Sequence, residues 1–241
     1  WLENPMFVNG SDDYYLWILL FHNQARFVCN PKHVYIHRNS TEGNLSFDLA
    51  KMHSSNEEMC TLMENVPDYP AKKLNTVAIT GTKGKTSTSF MISKILNEAG
   101  MRCGIIGTTG AYFEDFYLEM NHSTPESRDL HALFSKMHSL GATHIVMEVS
   151  SHALAQGHVL GVEFECAMFT NLTQDHLDYH GDMEEYFLAK KKLFENCKVA
   201  VLKADDKYGV RLLNETDCKT FSYSIENNSD YMAMGINCLA T

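Results

Sequence analysis

The sequence has no C-x-x-C pair, no apolar run long enough to cross a bilayer, no excess of basic residues and no internal repeat or low-complexity tract. Each absence removes a class of protein. The seven cysteines, Cys29, Cys60, Cys103, Cys166, Cys197, Cys218 and Cys238, are odd in number and widely scattered, so no disulfide framework or zinc ribbon is readable from their spacing. Most stand in apolar stretches such as Phe164-Glu165-Cys166-Ala167-Met168, where a small buried thiol is the expectation. The densest apolar run, Tyr14 to Phe21, has no basic flank before it and is too short for a membrane span or a signal peptide. A cytoplasmic location is therefore expected. With 30 Asp and Glu against 20 Lys and Arg, the net charge is −10. A general nucleic-acid coat is excluded, because phosphate binding needs a positive footprint. Local basic sites stay open. The chain begins at Trp1 rather than Met and stops at Cys238-Leu239-Ala240-Thr241 without an evident terminal element, as a piece of something longer would.

What is present is enough apolar material for one sizeable core, or for a full domain and a small one: 241 residues, 44% hydrophobic and 11% aromatic. Residues 1–73 are irregular, with aromatic bursts, polar patches and no sustained period. From Leu74 onward, short β-branched runs alternate with helical patterns, which predicts an α/β domain with a mostly parallel sheet flanked by helices. The expected strands are Thr76 to Thr80, Arg102 to Gly107, Thr143 to Val149, Phe164 to Thr170 and Lys198 to Leu202, near-continuously apolar as doubly covered strands should be. Helices are expected over Thr86 to Ala99, with Phe90, Met91, Ile92, Ile95 and Leu96 as core, and over Arg128 to Leu140, capped by Ser127 and ended by Gly141.

The strongest feature is Val77-Ala78-Ile79-Thr80-Gly81-Thr82-Lys83-Gly84-Lys85-Thr86, an apolar strand, a glycine-containing turn and a helix opening on Lys-Thr. Gly81 and Gly84 let the backbone curl so that N–H groups turn inward, and the helix adds its positive end, making an anion cradle. Lys85 supplies a point charge for β- and γ-phosphates, and Thr86 a hydroxyl for Mg²⁺. The common spacing wants a glycine where Ile79 stands, so this is the shortened G-T-x-G-K-T form of a P-loop. ATP or GTP is the expected ligand.

Four further stretches carry polar residues where the α/β pattern puts the carboxyl ends of strands, the usual place for ligands in such sheets. They are Ser123-Thr124-Pro125-Glu126-Ser127, Met147-Glu148-Val149-Ser150-Ser151-His152-Ala153-Leu154, residues 170–181 with Asp175-His176-Leu177-Asp178-Tyr179-His180-Gly181, and Ala189-Lys190-Lys191-Lys192-Leu193-Phe194. Alone each is weak, and Lys190 to Lys192 would by default be the wet face of a helix. Together, in this order behind the loop, they resemble the Mur ligases, ATP-dependent peptide-forming enzymes of peptidoglycan synthesis, and within them the MurE type. The resemblance runs from about Lys73 to Asp230.

The resemblance implies a P-loop-type ATP-binding central domain over residues 74–241, incomplete, preceded by a poorly specified N-terminal region at 1–73, with the family's C-terminal ligase domain absent. It implies that Gly81, Thr82, Lys83, Gly84, Lys85, Thr86 and Ser87 bind ATP. Thr86 and Glu148 would hold one Mg²⁺, and His176 with Lys190 a second. In the family this lysine is carbamylated, which turns a cation that would repel Mg²⁺ into a hard oxygen ligand. Lys85, Glu148, His176 and Lys190 would be the catalytic set. The implied reaction adds the third stem-peptide amino acid to UDP-N-acetylmuramoyl-L-alanyl-D-glutamate through an acyl phosphate, by a monomer with no nucleic-acid partner and no membrane span. His122, Ser123, Thr124, Ser150, Gln156 and His158 fall on muramoyl-peptide positions, although His122 stands where the family usually has Asn and His158 where it has Arg. Loss of that Arg removes a permanently charged fork. Two alternatives remain at this point: a truncated nucleotide-binding remnant, and a folylpolyglutamate synthetase-like ligase, which usually has Gly at the Thr86 position and lacks the Ser-Thr-Pro and S-S-H-A-L signatures.

Overall fold

The computed structural model describes residues 70–236, with side chains from Lys72 onward. The expectations for residues 1–69 and for the last five residues lie outside the described residues. Chain order is α1 (Pro70–Lys73), β1 (Asn75–Thr80), α2 (Lys85–Glu98), β2 (Cys103–Gly107), β3 (Gly110–Phe113), β4 (Phe116–Leu118), α3 (Ser127–Ser139), β5 (His144–Glu148), α4 (Ser151–Ala155), β6 (Phe164–Phe169), α5 (Leu177–His180), α6 (Met183–Lys191), a 3-10 turn (Lys192–Asn196), β7 (Cys197–Lys203), α7 (Lys207–Glu215), β8 (Lys219–Ser224) and β9 (Tyr231–Met232). The five strands expected from the sequence are β1, β2, β5, β6 and β7. The hairpin β3–β4 and the strands β8 and β9 carry too short or too polar a pattern to be expected.

The strands form one sheet in the order β4-β3-β2-β5-β1-β6-β7-β8-β9. All neighbours are parallel except β2–β3 and β3–β4. β1 lies at the point where the winding reverses, since the chain passes from it to β2 and β5 on one side and later to β6 and β7 on the other. Ligand crevices of open α/β sheets form at such a reversal, beyond the carboxyl ends of the strands.

Alternation along β1 divides the core between the two sheet faces. Ala78 joins the larger cluster with Ile106, Phe134, Met137, Met147, Phe169 and Phe187, covered by α3 and α6. Ile79 joins a small cluster with Cys103 and Val146, against which Val77, Ile92, Leu96 and Met168 pack. Helix α2 covers this second face, and its buried residues are Ser89 and Ser93. The expectation that Phe90, Met91 and Ile95 are core is thus corrected: they are 42%, 60% and 67% exposed. Apolar residues occur all round this helix, so its pattern does not define one face; the two serines turn inward because a small side chain lets the helix lie close to the sheet.

On α3 the sequence pattern holds better, with Leu130, Leu133, Phe134 and Met137 buried. The assigned cap does not. Glu126 occupies the N-cap position, and Ser127 Oγ is buried with no hydrogen-bond partner among the described residues. Gly141 follows the helix at φ 96, the left-handed conformation that ends it.

Two predictions follow from the packing. Ser93→Leu should cost about 1–3 kcal/mol by overpacking the α2–sheet contact, whereas Ile95→Lys should change stability by less than about 0.5 kcal/mol; urea unfolding of the two variants checks the assignment of faces. The second concerns His131, whose imidazole is held down to about 4 by burial. Below pH 6.5 the unfolded chain takes up a proton that the folded chain refuses until about pH 4. This contribution is full above pH 6.5 and is lost toward pH 4 by up to roughly 1.4 kcal/mol per pH unit. His131→Leu should remove that slope in denaturant titrations across the same range, and an unchanged slope would refute the buried neutral imidazole.

Candidate active site

The site is built on the loop that β1 hands to α2. At Gly81, φ is +147 and a Cβ would stand 2.0 Å from Thr170 Oγ1 and 3.0 Å from Asn171 O, so only glycine fits. Gly84, at φ +86, is the left-handed residue from which α2 starts. Asn171, just beyond β6, clamps the loop on three sides. Its main-chain oxygen accepts from Thr82 N–H at 2.9 Å, its Oδ1 accepts from Lys83 N–H at 2.9 Å, and its Nδ2 donates to Lys83 O at 3.0 Å. Thr170 Oγ1 donates to the same Lys83 carbonyl at 2.7 Å. The amides of Thr82 and Lys83 are therefore spent on holding the loop. The first helical bond runs from Thr88 N–H to Gly84 O. The N–H groups of Lys85, Thr86 and Ser87 precede it, have no acceptor within the helix, and lie at its positive end.

Two lysines converge on one carbonyl. Gly81 O accepts from Lys85 Nζ at 2.8 Å and from Lys190 Nζ at 3.1 Å. Lys85 also donates to Thr82 O at 3.1 Å, and burial holds its pKa below the ordinary lysine value despite the opposing charge of Glu148. Lys190 is 1% exposed. Burial and the neighbouring Lys85 charge bring its pKa down to about 7. Its ammonium lies 4.6 Å from the ring centre of Tyr186, whose hydroxyl is 3.3 Å from Thr82 Oγ1. The stretch from Ala189 to Phe194 is thus not at a strand end, nor is Lys190 a wet residue: α6 brings it under the loop from the sheet face.

Glu148 ends β5 and is buried. Its Oε1 accepts from Thr108 N–H and its Oε2 from Thr108 Oγ1, both at 3.0 Å. Gly107 makes room for it, since a Cβ there would lie 2.3 Å from Glu148 Oε1. His176 is the left-handed N-cap of α5, half-exposed, with its ring 6.2 Å from that of Tyr186 and 4.9 Å from that of His152. His180 Nε2 meets Ser151 Oγ at 2.9 Å. Burial, reinforced by the histidines around them, holds His152 and His180 below the ordinary imidazole value.

On the other side of Glu148, Thr124 ties the strand end to two further positions. Its Oγ1 donates to Glu148 O and accepts from Ser150 N–H, both at 3.0 Å. Its carbonyl lies 3.5 Å from His158 Nδ1. Ser150 caps α4 by accepting from Ala153 N–H. Gln156 faces the histidine side instead, donating to Tyr179 Oη at 3.2 Å. His122 and Ser123 lie on the segment leading to Thr124, His122 exposed and Ser123 half-buried.

The structure thus brings Lys85, Lys190 and the loop together, with Glu148, Thr124, Ser150 and His158 adjacent along the strand ends. Sequence reasoning assigned no role to Asn171, Thr108, Thr170 or Tyr186. Thr170 and Asn171 open the polar stretch 170–181, which was the one available signal; Thr108 and Tyr186 are visible only once β2 is placed beside β5 and α6 beneath the loop. Among the described residues, no group of three or more His, Cys, Asp or Glu side chains is arranged to hold a metal ion by itself. Thr86 and Glu148 nevertheless suit Mg²⁺, which takes one or two protein oxygens and fills its shell with phosphate and water. An ammonium at Lys190 does not suit it, although a pKa lowered to about 7 by burial leaves a fraction of this amine neutral near neutral pH.

A glycine loop opening a helix at the reversal point of a mostly parallel sheet, with the half-buried Lys85 at the helix start and the buried Lys190 beneath the loop, defines an α/β domain of the P-loop type. Among domains of that type, the chain belongs to the Mur ligase family: residues 79–240 match the Mur ligase middle domain. It is 43% identical over 186 residues to a UDP-N-acetylmuramoyl-L-alanyl-D-glutamate–2,6-diaminopimelate ligase of Clostridium tetani, covering 77% of this chain and 38% of that protein. The namesake ligase of Bacillus licheniformis is 47% identical over 176 residues, covering 69% and 36%. The chain therefore spans well under half the length of these relatives. A solved structure of a ligase of the same name is 32% identical with TM-score 0.64, covering 75% of this chain and 38% of that one. E. coli FolC in complex with DHPP and ADP shares the fold alone, at 17% identity and TM-score 0.50 over 73% of this chain and 53% of that one. No described helix is long and apolar enough to cross a membrane.

Lys190 carries a measurable consequence. Its charge is free of penalty only where both states are neutral, above pH 10.5, and the penalty grows as pH falls toward about 7. In CO₂-free buffer, Lys190→Met should therefore gain stability relative to the parent as pH is lowered from 10.5 to 7. Paired urea titrations at both ends of that range check this, and a constant difference would refute the buried amine.

Proposed function

We propose that this chain is the nucleotide-binding part of an ATP-dependent amide ligase that extends UDP-N-acetylmuramoyl-L-alanyl-D-glutamate by its third amino acid in peptidoglycan precursor synthesis. The incoming residue is 2,6-diaminopimelate, as in the relatives' names. The observation that carries this reading is the convergence of Lys85 and Lys190 on the Gly81 carbonyl, at 2.8 and 3.1 Å, beside the unpaired amides that open α2. Residues 74–241 form the central ATP-binding domain, in part, and 1–73 an N-terminal region. The complete reaction is that of a protein of the relatives' length, monomeric and cytoplasmic, in which a further domain delivers the amino acid.

The γ-phosphoryl group of ATP passes to the D-glutamyl carboxylate, giving ADP and an acyl phosphate. The amine of the third amino acid then attacks the acyl carbon, forming the amide and expelling phosphate. Lys85 and the amides of Lys85, Thr86 and Ser87 hold the phosphates and neutralise charge that builds as two anions approach. Gly81, Thr82, Lys83 and Gly84 give the loop its shape. Thr86, Glu148, His176 and carbamylated Lys190 would hold Mg²⁺, which screens the phosphate charge and polarises the transferred group. Carbamylation adds CO₂ to the neutral Lys190 amine and releases a proton, so the low pKa of this lysine favours it. Ser123, Thr124, Ser150, Gln156, His122 and His158 form the muramoyl-peptide side, anchored to the ATP side through the bond from Thr124 to Glu148 O.

Lys85→Ala should reduce phosphate release from ATP, measured with UDP-N-acetylmuramoyl-L-alanyl-D-glutamate and 2,6-diaminopimelate in the full-length protein, by about 10²-fold or more. Turnover at the parent rate would remove Lys85 from the site. ATP binding with no dependence of phosphate release on those two substrates would favour a nucleotide-binding remnant.

A further inference from the structure

At the opposite end of the strands from the loop, Cys197 and Cys218 place their sulfur atoms 3.5 Å apart. Cys197 opens β7, and Cys218 stands one residue before β8. In the parallel register Val199 pairs with Lys219, so the two cysteines occupy adjacent entry positions on neighbouring strands. Both are free and half-buried. They line one cavity of about 330 Å³, together with Lys191 and Glu215. No step of the ligase reaction uses them.

We propose that Cys197 and Cys218 form a redox-active dithiol site, whose oxidant is a low-molecular-weight disulfide entering that cavity and whose product is a Cys197–Cys218 disulfide. A disulfide bond is about 2.05 Å long, so the sulfurs must close by about 1.5 Å, within reach of side-chain rotation between neighbouring strand positions. The cavity supplies the access that a buried pair would lack. Burial, and the hydrogen bond with Cys218, hold the Cys197 thiol protonated above the ordinary cysteine range. In the exchange Cys218, in the turn before β8, is the attacking thiol. Its thiolate displaces one thiolate from the external disulfide, giving a mixed disulfide; Cys197 then loses its proton and attacks Cys218 Sγ, expelling the second. Two protein thiols are oxidised by two electrons, and one small disulfide is reduced to two small thiols.

The bond would close the segment 197–218, which contains β7 and α7. That helix is already tied to α6 by Arg211, bonded to Glu184 at 2.6 and 2.8 Å, and by Lys191 bonded to Glu215 at 2.7 Å. The disulfide adds a covalent tie beside the Lys191–Glu215 bond, in the same cavity. Because cytosolic thiols are normally kept reduced, such a bond would be transient and reversible there.

The probe is glutathione disulfide, added to the chain under native conditions, followed by non-reducing tryptic digestion and mass spectrometry. The expected product is a crosslink between the peptides Leu193–Lys198 and Leu212–Lys219, two hydrogen masses below the sum of the free peptides and released by dithiothreitol. Tm should rise by on the order of 5 °C with the crosslink and fall back on reduction. Cys218→Ser should abolish the crosslink and the shift, whereas Cys103→Ser should leave both intact. Glutathione adducts that persist on Cys218 without closure, Cys218 crosslinked to Cys166 instead, or unmodified thiols would each overturn the proposal. The mapping on the parent chain needs no variant to fold.

Discussion

The site depends on the clamp between Asn171 and the loop that follows β1. Its three hydrogen bonds hold residues 82 and 83 against the end of β6, where Thr170 Oγ1 adds a fourth. With them, the Gly81 carbonyl is aimed at two lysine amines from different elements, and the first amides of α2 are left facing outward together. The clamp also explains the demand for glycine at position 81: the strand end that supplies Asn171 and Thr170 comes so close that a single carbon would collide with it.

The same closeness has an electrostatic cost. Lys85 and Lys190 share one carbonyl acceptor, and both are taken partly out of water. Lys190 responds by losing much of its affinity for a proton. That state is poor for binding an anion but suited to becoming a carboxylate-like group, so burial that would be a liability for a structural lysine is compatible with the proposed chemistry. Thr124 and Thr108 play the complementary part for Glu148, one bonding its carbonyl and the other both of its carboxylate oxygens. The loop side and the proposed peptide side therefore meet at one strand end.

The two faces of the sheet are unequal. The larger core, with its aromatic residues, lies under α3 and α6 and fixes the helix that carries Lys190. The smaller core lies under α2, which needs only Ser89, Ser93, Ile92 and Leu96 against the sheet to direct its start at the loop. Close approach takes the place of apolar bulk there.

Much of this was legible locally. Five strands, two helices, the glycine loop and the order of the motif stretches depend on short-range features, namely side-chain period, backbone permissiveness at glycine, and a Lys-Thr helix start, and those are written in consecutive residues. The resemblance to the Mur ligases rested on the same stretches, and membership of that family agrees with it. What the sequence could not determine were properties summed over elements far apart in the chain. A run of three lysines reads as a solvated helix face until the fold buries one of them beside another lysine. Apolar residues on α2 read as core until the sheet selects its serines. Asn171 becomes a clamp, and Cys197 a partner of Cys218, only when neighbouring strands are in register, because burial, charge and contact are set by what packs nearby and not by what precedes in the chain.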